Sequence, residues 1–357
     1  MSLKRIFKYL INRCGYTISR IQPVAVTNSV ITSLYLGLLN RLPEEGVVSH
    51  LTNRINSGTP LEKITLDILE SDEFKKIINL QNIPFAPPGH FYSPIVDTIS
   101  VEHIFEKLHN VESIEGINLN KEGQLKTWQD LLPYLKNLPF TDNKKAGFRY
   151  FFDNPAFGAL DASIYFSMLL AHRPKKIIEI GSGFSSACAL DTIEHFLKVD
   201  VELTFIEPYP DLLKSLLTDK DNGFIKIHSC KVQDIDLNLF KTLEAGDFLF
   251  IDSSHVLKTS SDVNLELFNI LPSLNPGVII HIHDIFWPFE YPRSWVMEEK
   301  RSWNEIYALR AFLMYNDYFK IEFFNDYFAK NFRSTIEKDC PVILRKKGGS
   351  IWLRKVK

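Results

Sequence analysis

The chain has 357 residues and a formal net charge of −2, with 45% hydrophobic and 24% charged residues. This composition is ordinary for a soluble globular protein, and the balanced charge argues against a broad nucleic-acid-binding surface. The four cysteines are scattered without a Cys-x-x-Cys pair, so we expect no disulfide framework and a cytoplasmic location. The length predicts two domains, at roughly 150 residues each.

Residues 1–25 form a basic amphipathic segment, in which Lys4, Arg5 and Lys8 lie among apolar side chains. The segment lacks a long apolar run and a small-residue cleavage site, so we do not expect a signal peptide. One interpretation is a helix that lies on the inner face of the inner membrane. The alternative is a helix that packs on the next domain and leaves a solvated basic face.

Residues 26–82 are predicted to form a small all-α domain. Apolar residues between Ile31 and Leu39 recur three and four positions apart, as on one face of a helix. Breaks at residues 43–46 and 57–60, both containing proline and glycine, separate this helix from two further helical patterns.

Residues 83–357 are predicted to form the second domain, which opens on a proline-rich linker. The run from Pro87 to Pro94 reads Pro-Pro-Gly-His-Phe-Tyr-Ser-Pro, a composition typical of irregular structure. Within it, His90 and Tyr92 are predicted to contact substrate by folding over the site as a lid. The alternative is a linker held together by its own aromatic side chains.

Five short apolar runs, separated by helical patterns, predict a doubly wound α/β fold with a parallel sheet. The runs cover residues 176–180, 201–207, 225–228, 248–252 and 278–284. Four of them carry an acid near the end, namely Glu179, Glu207, Asp252 and Asp284. Because ligands of such sheets bind at the carboxyl ends of the strands, we expect these acids to line one site.

The first run leads into a glycine turn, Glu179-Ile-Gly181-Ser-Gly183. A dinucleotide-binding turn has a third glycine where Ser186 stands, and an acid such as Glu179 is a poor neighbour for a pyrophosphate. Glu179 would suit a cationic ligand instead. An NAD-dependent oxidoreductase is therefore an alternative that this turn disfavours.

The pattern of the glycine turn resembles the first motif of class I S-adenosylmethionine-dependent methyltransferases. Other runs resemble a bacterial group of sugar and polyketide O-methyltransferases. These runs cover residues 87–94, 250–255, 275–278, 281–292 and 348–354. Residues 26–82 resemble a small helical domain of unknown function found in bacterial surface-glycan proteins. The resemblance implies a Rossmann-like sheet that closes with an antiparallel pair of late strands, expected near residues 319–323 and 350–354.

The resemblance also implies S-adenosylmethionine as cofactor and a set of residues that bind it. By this resemblance, Glu179, Gly181, Ser182 and Gly183 hold the amino-acid end, and Glu207 accepts hydrogen bonds from the ribose. Gln233 and Asp234 contact the adenine, and Asp252 completes the cofactor set. The implied activity is O-methylation of a sugar, a glycolipid or another small hydroxylated acceptor. The alternative from another class is a non-catalytic scaffold with a degenerate methyltransferase fold.

His283, Asp284 and His255 are the predicted catalytic residues. A histidine suits the role of base because its ordinary pKa lies near neutral pH. Both His255 and His283 compete for this role, whereas His281 is expected to be a packed side chain inside a covered sheet. Trp287, which opens an aromatic run after Asp284, is interpreted as loop packing, with sugar stacking as the alternative.

Asp252 and Asp284 match positions that bind magnesium in catechol-type O-methyltransferases. That family has asparagine where Ile285 stands here, so we do not expect a required metal, and magnesium remains the alternative. His255 could replace the missing ligand, but an imidazole would favour a transition metal over magnesium. Oxygen ligands would suit that ion.

Overall fold

The computed structural model describes residues 28–39, 41–44, 46–78, 85–108, 111–221, 223–345 and 348–357. The chain divides into two compact units, Met1–Ile95 and Val96–Lys357. The predicted basic segment 1–25 lies outside the described residues, and the predicted boundary at 82/83 stays a prediction. None of the helices in the described part of the chain combines the length and apolar character needed to cross a membrane.

The described part of the first unit is helical between Asn28 and Ile78, as predicted. Its helices are α1 (Asn28–Leu39), α2 (Val47–Asn56), α3 (Leu61–Glu70) and α4 (Asp72–Ile78). Their apolar faces share one small core that includes Ile31, Ile64 and Phe74. Arg41 reaches from the end of α1 to the Glu73 carboxylate on α4, with Nη2 at 2.8 Å from Oε2.

The second unit is built on one seven-stranded sheet. Its strands are β1 (Lys176–Ile180), β2 (Glu202–Ile206), β3 (Ile225–His228), β4 (Phe248–Ile251), β5 (Ile279–His283), β6 (Phe319–Phe324) and β7 (Ser350–Lys355). The strand order is β3-β2-β1-β4-β5-β7-β6. The strands β1 to β5 pair in parallel, and β7 pairs antiparallel with both β5 and β6. The predicted Rossmann-like sheet with its antiparallel final pair is therefore confirmed.

Helices flank this sheet. They are α5 (Glu102–Lys107), α6 (Lys121–Leu135), α7 (Ala159–His172), α8 (Phe184–Thr192), α9 (Asp211–Leu216), α10 (Asp262–Leu265), α11 (Leu271–Ser273), α12 (Arg293–Met297), α13 (Glu305–Leu313), α14 (Asn325–Asn331) and α15 (Arg333–Asp339). A π-helical turn, Ile193–Leu197, extends α8, and another, Glu266–Ile270, joins α10 to α11. Short 3₁₀ turns cover Asp219–Asp221, Val232–Asp234, Leu237–Thr242 and Pro341–Arg345.

The central strand β4 is apolar throughout because both faces of the sheet are covered. Along β4, Phe248 and Phe250 belong to one buried cluster, and Leu249 and Ile251 belong to the other. This division follows from the strand period of two, which sends successive side chains to opposite faces. Burying each such side chain contributes roughly 1.5–3 kcal/mol. The two cores hold the carboxyl ends of β1, β2, β4 and β5 side by side at one edge.

Candidate active site

Gly181 follows β1 at this carboxyl edge, in a conformation that excludes a side chain. Its φ is +78°, and a Cβ built on it would lie 1.8 Å from the carbonyl oxygen of Asp252. The Gly181 N–H donates to Ile206 O at 3.0 Å, and the Asp252 N–H donates to Ile180 O at 2.8 Å. Backbone hydrogen bonds thus join the ends of β1, β2 and β4 around a glycine that no larger residue can replace without movement.

Glu179 is fully buried beneath the start of α8. Its Oε1 accepts hydrogen bonds from Ser185 Oγ at 2.5 Å and from Ser186 Oγ at 2.9 Å. Its Oε2 is buried and has no hydrogen-bond partner among the described residues. Burial raises the pKa of Glu179 to about 8, against the lowering effect of the two hydroxyl groups. A ligand ammonium group would supply the missing donor, so this orphaned oxygen fits the cofactor predicted from the sequence.

The two serines were missed by the sequence analysis as partners of Glu179. Ser186 has a second role, because its Oγ also accepts from the Gly183 N–H at 3.1 Å and so caps α8. A dinucleotide motif has glycine at this position. Here Ser186 occupies it, and its hydroxyl group forms hydrogen bonds with both Glu179 and Gly183. The run of two serines at the start of a helix was the available signal.

Glu207 is the first residue after β2 and lies beside the glycine turn. Its Oε2 accepts from the Ser182 N–H at 3.1 Å, and its Oε1 accepts from the Tyr209 N–H at 2.8 Å. The carboxylate is only partly buried. It therefore keeps lone pairs for a ligand hydroxyl, in line with the ribose contact expected of it.

Gln233 and Asp234 lie on the 3₁₀ turn Val232–Asp234, after β3. Gln233 is partly buried and donates from Nε2 to the Ser260 carbonyl at 3.1 Å, while the Asp234 side chain is exposed. Their contact with adenine stays a prediction.

The ends of β4 and β5 bring the predicted catalytic residues together. Asp252 and Asp284 are each the first residue after their strand. His255 Nε2 lies 3.4 Å from Asp252 Oδ1 and 3.5 Å from Asp284 Oδ2. On the other side, His283 Nε2 lies 3.5 Å from Asp284 Oδ1. Two imidazoles and two carboxylates thus form one cluster.

Glu305, at the start of α13, is a fifth member of this cluster. Its Oε2 lies 2.8 Å from His255 Nδ1, and both side chains are buried. Sequence reasoning missed this residue because 50 positions separate the pair. An acid in the first turn of a helix is also common for a local reason, since it complements the helix dipole.

Charge within the cluster shifts its pKa values in opposing directions. Burial alone would lower the pKa of His255, but hydrogen bonds to the Asp252 and Glu305 carboxylates raise it well above the ordinary histidine value. Burial also lowers the pKa of His283, but the charges of Asp284 and Asp252 outweigh this effect and raise it. Burial raises the pKa of Asp284 to about 6, although both histidines act to lower it. The cluster therefore favours protonated imidazoles beside its carboxylates.

His281 is a packed side chain, as the sequence analysis expected. Its ring stacks on Phe250 with centroids 3.9 Å apart and an interplanar angle of 11°. Burial lowers its pKa well below the ordinary value, so the neutral form fills this position. Trp287 is also buried, and its Nε1 donates to Val111 O at 3.2 Å, which accords with loop packing.

Comparison with known proteins places these residues in a family. Residues 178–285 match a family model described as a methyltransferase domain. A protein of Archaeoglobus fulgidus, described only as uncharacterized, is 38% identical over 165 residues, covering 44% of this chain and 73% of that protein. The chain belongs to the class I S-adenosylmethionine-dependent methyltransferases. The matched region runs from β1 to just beyond β5 and contains the glycine turn and the four acids that end strands.

Two solved structures of other methyltransferases are similar to this chain. The O-methyltransferase TomG from Streptomyces achromogenes, in complex with S-adenosylmethionine, shares 17% identity, with 72% of this chain and 96% of that chain covered and a TM-score of 0.38. A methyltransferase from Podospora anserina, bound to S-adenosylhomocysteine, shares 13% identity, with 77% and 100% covered and a TM-score of 0.36.

The methyltransferase has a donor set that fits a divalent cation. Asp252, His283 and Asp284 each offer a ligand atom, and these atoms lie within 4.8 Å of one another. The side chain of His283 could therefore supply the third ligand that Ile285 cannot supply. A nitrogen ligand suits a transition ion better than magnesium.

His90 and Tyr92 belong to the first unit of the methyltransferase. The Tyr92 N–H donates to His90 Nδ1 at 3.1 Å, and the Tyr92 ring is 66% exposed. These contacts are local, so a role for this segment as a lid stays a prediction.

Proposed function

We propose that this methyltransferase transfers a methyl group to a hydroxyl oxygen of a sugar, a glycolipid or another small hydroxylated acceptor. One observation carries this proposal: His255, buried against Glu305, presents Nε2 to Asp252 and Asp284 at the carboxyl edge of the sheet. A proton acceptor is the group that an oxygen nucleophile needs, since a hydroxyl must lose its proton during transfer. An enzyme that methylated a thioether or a tertiary amine would have no use for it.

In this proposal, residues at the carboxyl ends of β1 and β2 bind the cofactor. The orphaned Glu179 Oε2 receives the ammonium group, and the glycine turn from Gly181 to Gly183 lies against the amino-acid end of the cofactor. Glu207 accepts from the ribose hydroxyls, while Gln233 and Asp234 lie where the adenine would be held. When bound, S-adenosylmethionine supplies an electrophilic methyl group on a sulfonium.

The remaining residues position the acceptor and take its proton. The acceptor hydroxyl lies against Asp252 and Asp284, in line with the methyl group, and its proton passes to Nε2 of His255 in its neutral form. The carboxylates that raise the pKa of His255 disfavour this form, so the neutral ring is the reactive fraction of the protein. Holding the two reactants in this geometry can supply about 7–11 kcal/mol of the barrier reduction in favourable cases. A divalent ion on Asp252, His283 and Asp284 would neutralise the carboxylates and so lower the pKa of a nearby hydroxyl and of His255.

The cellular setting is part of the proposal. The scattered cysteines support a cytoplasmic location, and the basic segment 1–25 supports contact with anionic lipid at the inner membrane. Neither nucleic acid nor an NAD-type cofactor is favoured by the composition or by the glycine turn.

Calorimetric titration with S-adenosylmethionine, followed by an acceptor screen with and without Mn²⁺, tests the function. We expect saturable binding and methyl transfer to at least one sugar or glycolipid hydroxyl, detected by mass spectrometry. Binding without transfer to any hydroxylated acceptor would contradict O-methylation. A complete failure to bind the cofactor would favour the scaffold alternative.

A further inference from the structure

The chain segment from Trp303 to Glu305 holds His255 from three directions. The Trp303 ring lies on the imidazole, with centroids 4.4 Å apart. The backbone N–H groups of Asn304 and Glu305 both donate to the His255 carbonyl at 3.1 Å. The Glu305 carboxylate lies 2.8 Å from Nδ1. Three consecutive residues therefore fix the ring plane, the backbone and one ring nitrogen of His255.

The segment also holds the chain that follows His255. Asn304 Oδ1 accepts from the Leu257 N–H at 2.6 Å, and Asn304 Nδ2 donates to the Leu257 carbonyl at 3.1 Å. His255 itself has a φ of 59°, a conformation that non-glycine residues adopt only when their surroundings enforce it. The contacts from Asn304 and Glu305 are what enforce it here.

Burying Glu305 would be energetically unfavourable if the residue had only a structural role. Its side chain is 3% exposed, and that of His255 is 6% exposed. Removing a carboxylate from water to this extent is unfavourable unless it is paired, and apolar packing of similar volume often stabilises a protein as well. The acid is therefore better explained by what it does to the imidazole. A carboxylate on Nδ1 selects the tautomer and orients the ring, so that Nε2 remains for another partner.

We propose that Glu305 is a positioning residue for methyl transfer, which keeps the Nδ1 proton of His255 in place and directs Nε2 toward the acceptor hydroxyl between Asp252 and Asp284. Trp303 and Asn304 support this role by holding the ring and the backbone. The inference rests on the proposed function for its catalytic consequence, whereas the hydrogen bond itself is testable without cofactor or acceptor.

The experiment compares Glu305→Ala and Glu305→Gln with Glu298→Gln, an exposed acid nearby that serves as a matched control. Kinetics with saturating cofactor separate kcat from KM, and calorimetry measures cofactor affinity. We expect Glu305→Ala to lower kcat on the order of 100-fold, the scale of losing an oriented base, with cofactor affinity changed less than about threefold. Glu305→Gln keeps an acceptor for the Nδ1 proton but no charge, so it should retain a kcat between those of Glu305→Ala and the native protein.

NMR of the ligand-free protein provides the independent readout. A hydrogen bond between Nδ1 and a carboxylate moves the ring proton to low field, and the signal is assigned by its loss in His255→Gln. We expect this signal in the native protein and not in Glu305→Ala. Its absence from the native protein, or a kcat for Glu305→Ala within about threefold of the control, overturns the positioning role. Glu305→Gln gives the same test if the alanine variant does not fold. A folded Glu305→Gln protein that has the native kcat but lacks the low-field signal also overturns that role. Loss of the proposed function alone would leave the NMR signal intact.

Discussion

The backbone N–H of Ser182 lies 3.1 Å from Oε2 of Glu207, and this hydrogen bond joins the glycine turn after β1 to the end of β2. The carboxylate therefore orders the turn, and in the proposed function it also accepts hydrogen bonds from the ligand that the turn would hold. A hydrogen bond with a charged acceptor contributes roughly 1.5–3 kcal/mol.

Substituting Glu207 with alanine should weaken S-adenosylmethionine binding on the order of 10- to 100-fold, because both the ribose contact and the ordered turn are lost. Calorimetry on the native protein and on Glu207→Ala measures the change. Glu202→Ala, at the exposed start of the same strand, is the control and should bind as the native protein does. Equal affinity for all three proteins would exclude Glu207 from the cofactor site.

Cofactor binding should release protons through Glu179. Its pKa of about 8 in the folded protein leaves the carboxyl largely protonated at pH 7, and an ammonium ligand at Oε2 would lower that pKa. Calorimetry at pH 7 in buffers of different ionisation enthalpy should therefore show close to one proton released, and Glu179→Gln should show none. Proton uptake, or identical behaviour of the variant, would contradict this role.

The same pKa predicts how stability depends on pH. Because the folded-state pKa of Glu179 is raised from 4.5 to about 8, the native state binds more protons than the unfolded chain between these values. Its contribution to the free energy of unfolding is present below about pH 4.5 and is lost as the pH rises through about 8. Urea denaturation from pH 5 to pH 8 should show a steeper decline for the native protein than for Glu179→Gln. Each pKa unit corresponds to about 1.4 kcal/mol.

Gly181→Ala should lower the free energy of unfolding by more than the cost of a left-handed backbone at this position. A left-handed conformation costs a non-glycine residue roughly 1–2 kcal/mol, and the new Cβ would also overlap the Asp252 carbonyl at 1.8 Å. Gly246 separates the two effects, since its φ is +91° and a Cβ there meets nothing within 4 Å. In chemical denaturation, Gly246→Ala should lose about 1–2 kcal/mol, and Gly181→Ala clearly more. Equal losses would show that the contact with Asp252 relaxes freely.

A divalent cation should stabilise the ligand-free protein through Asp252, His283 and Asp284. A ligand that binds only the folded state raises its stability by about 2.7 kcal/mol at 100 times its Kd. We therefore expect Mn²⁺ to raise the Tm of the native protein and to leave that of Asp284→Asn unchanged. Asp219→Asn, an exposed acid on a 3₁₀ turn, should respond as the native protein does. An equal Tm increase in all three proteins would indicate metal binding elsewhere.

Much of the site was predictable because it depends on local rules. Apolar runs marked β1, β2, β4 and β5, and parallel strands in a doubly wound sheet expose their carboxyl ends at one edge. That rule alone brought Glu179, Glu207, Asp252 and Asp284 to the same edge. The glycine turn likewise disfavoured a dinucleotide, because Ser186 stands where that motif has its third glycine.

Only the tertiary structure decided which groups surround these acids, because those contacts join residues far apart in sequence. Glu305 reaches His255 across 50 positions, at a place set by how α13 packs beside the sheet. The burial of Glu179, whose Oε2 has no partner among the described residues, likewise depends on the helices and strands packed around β1. Sequence by itself determined the strands and the acids that end them, since periodicity and residue type act locally. Burial, tautomer and charge pairing depend on long-range packing, and they were decided by the fold.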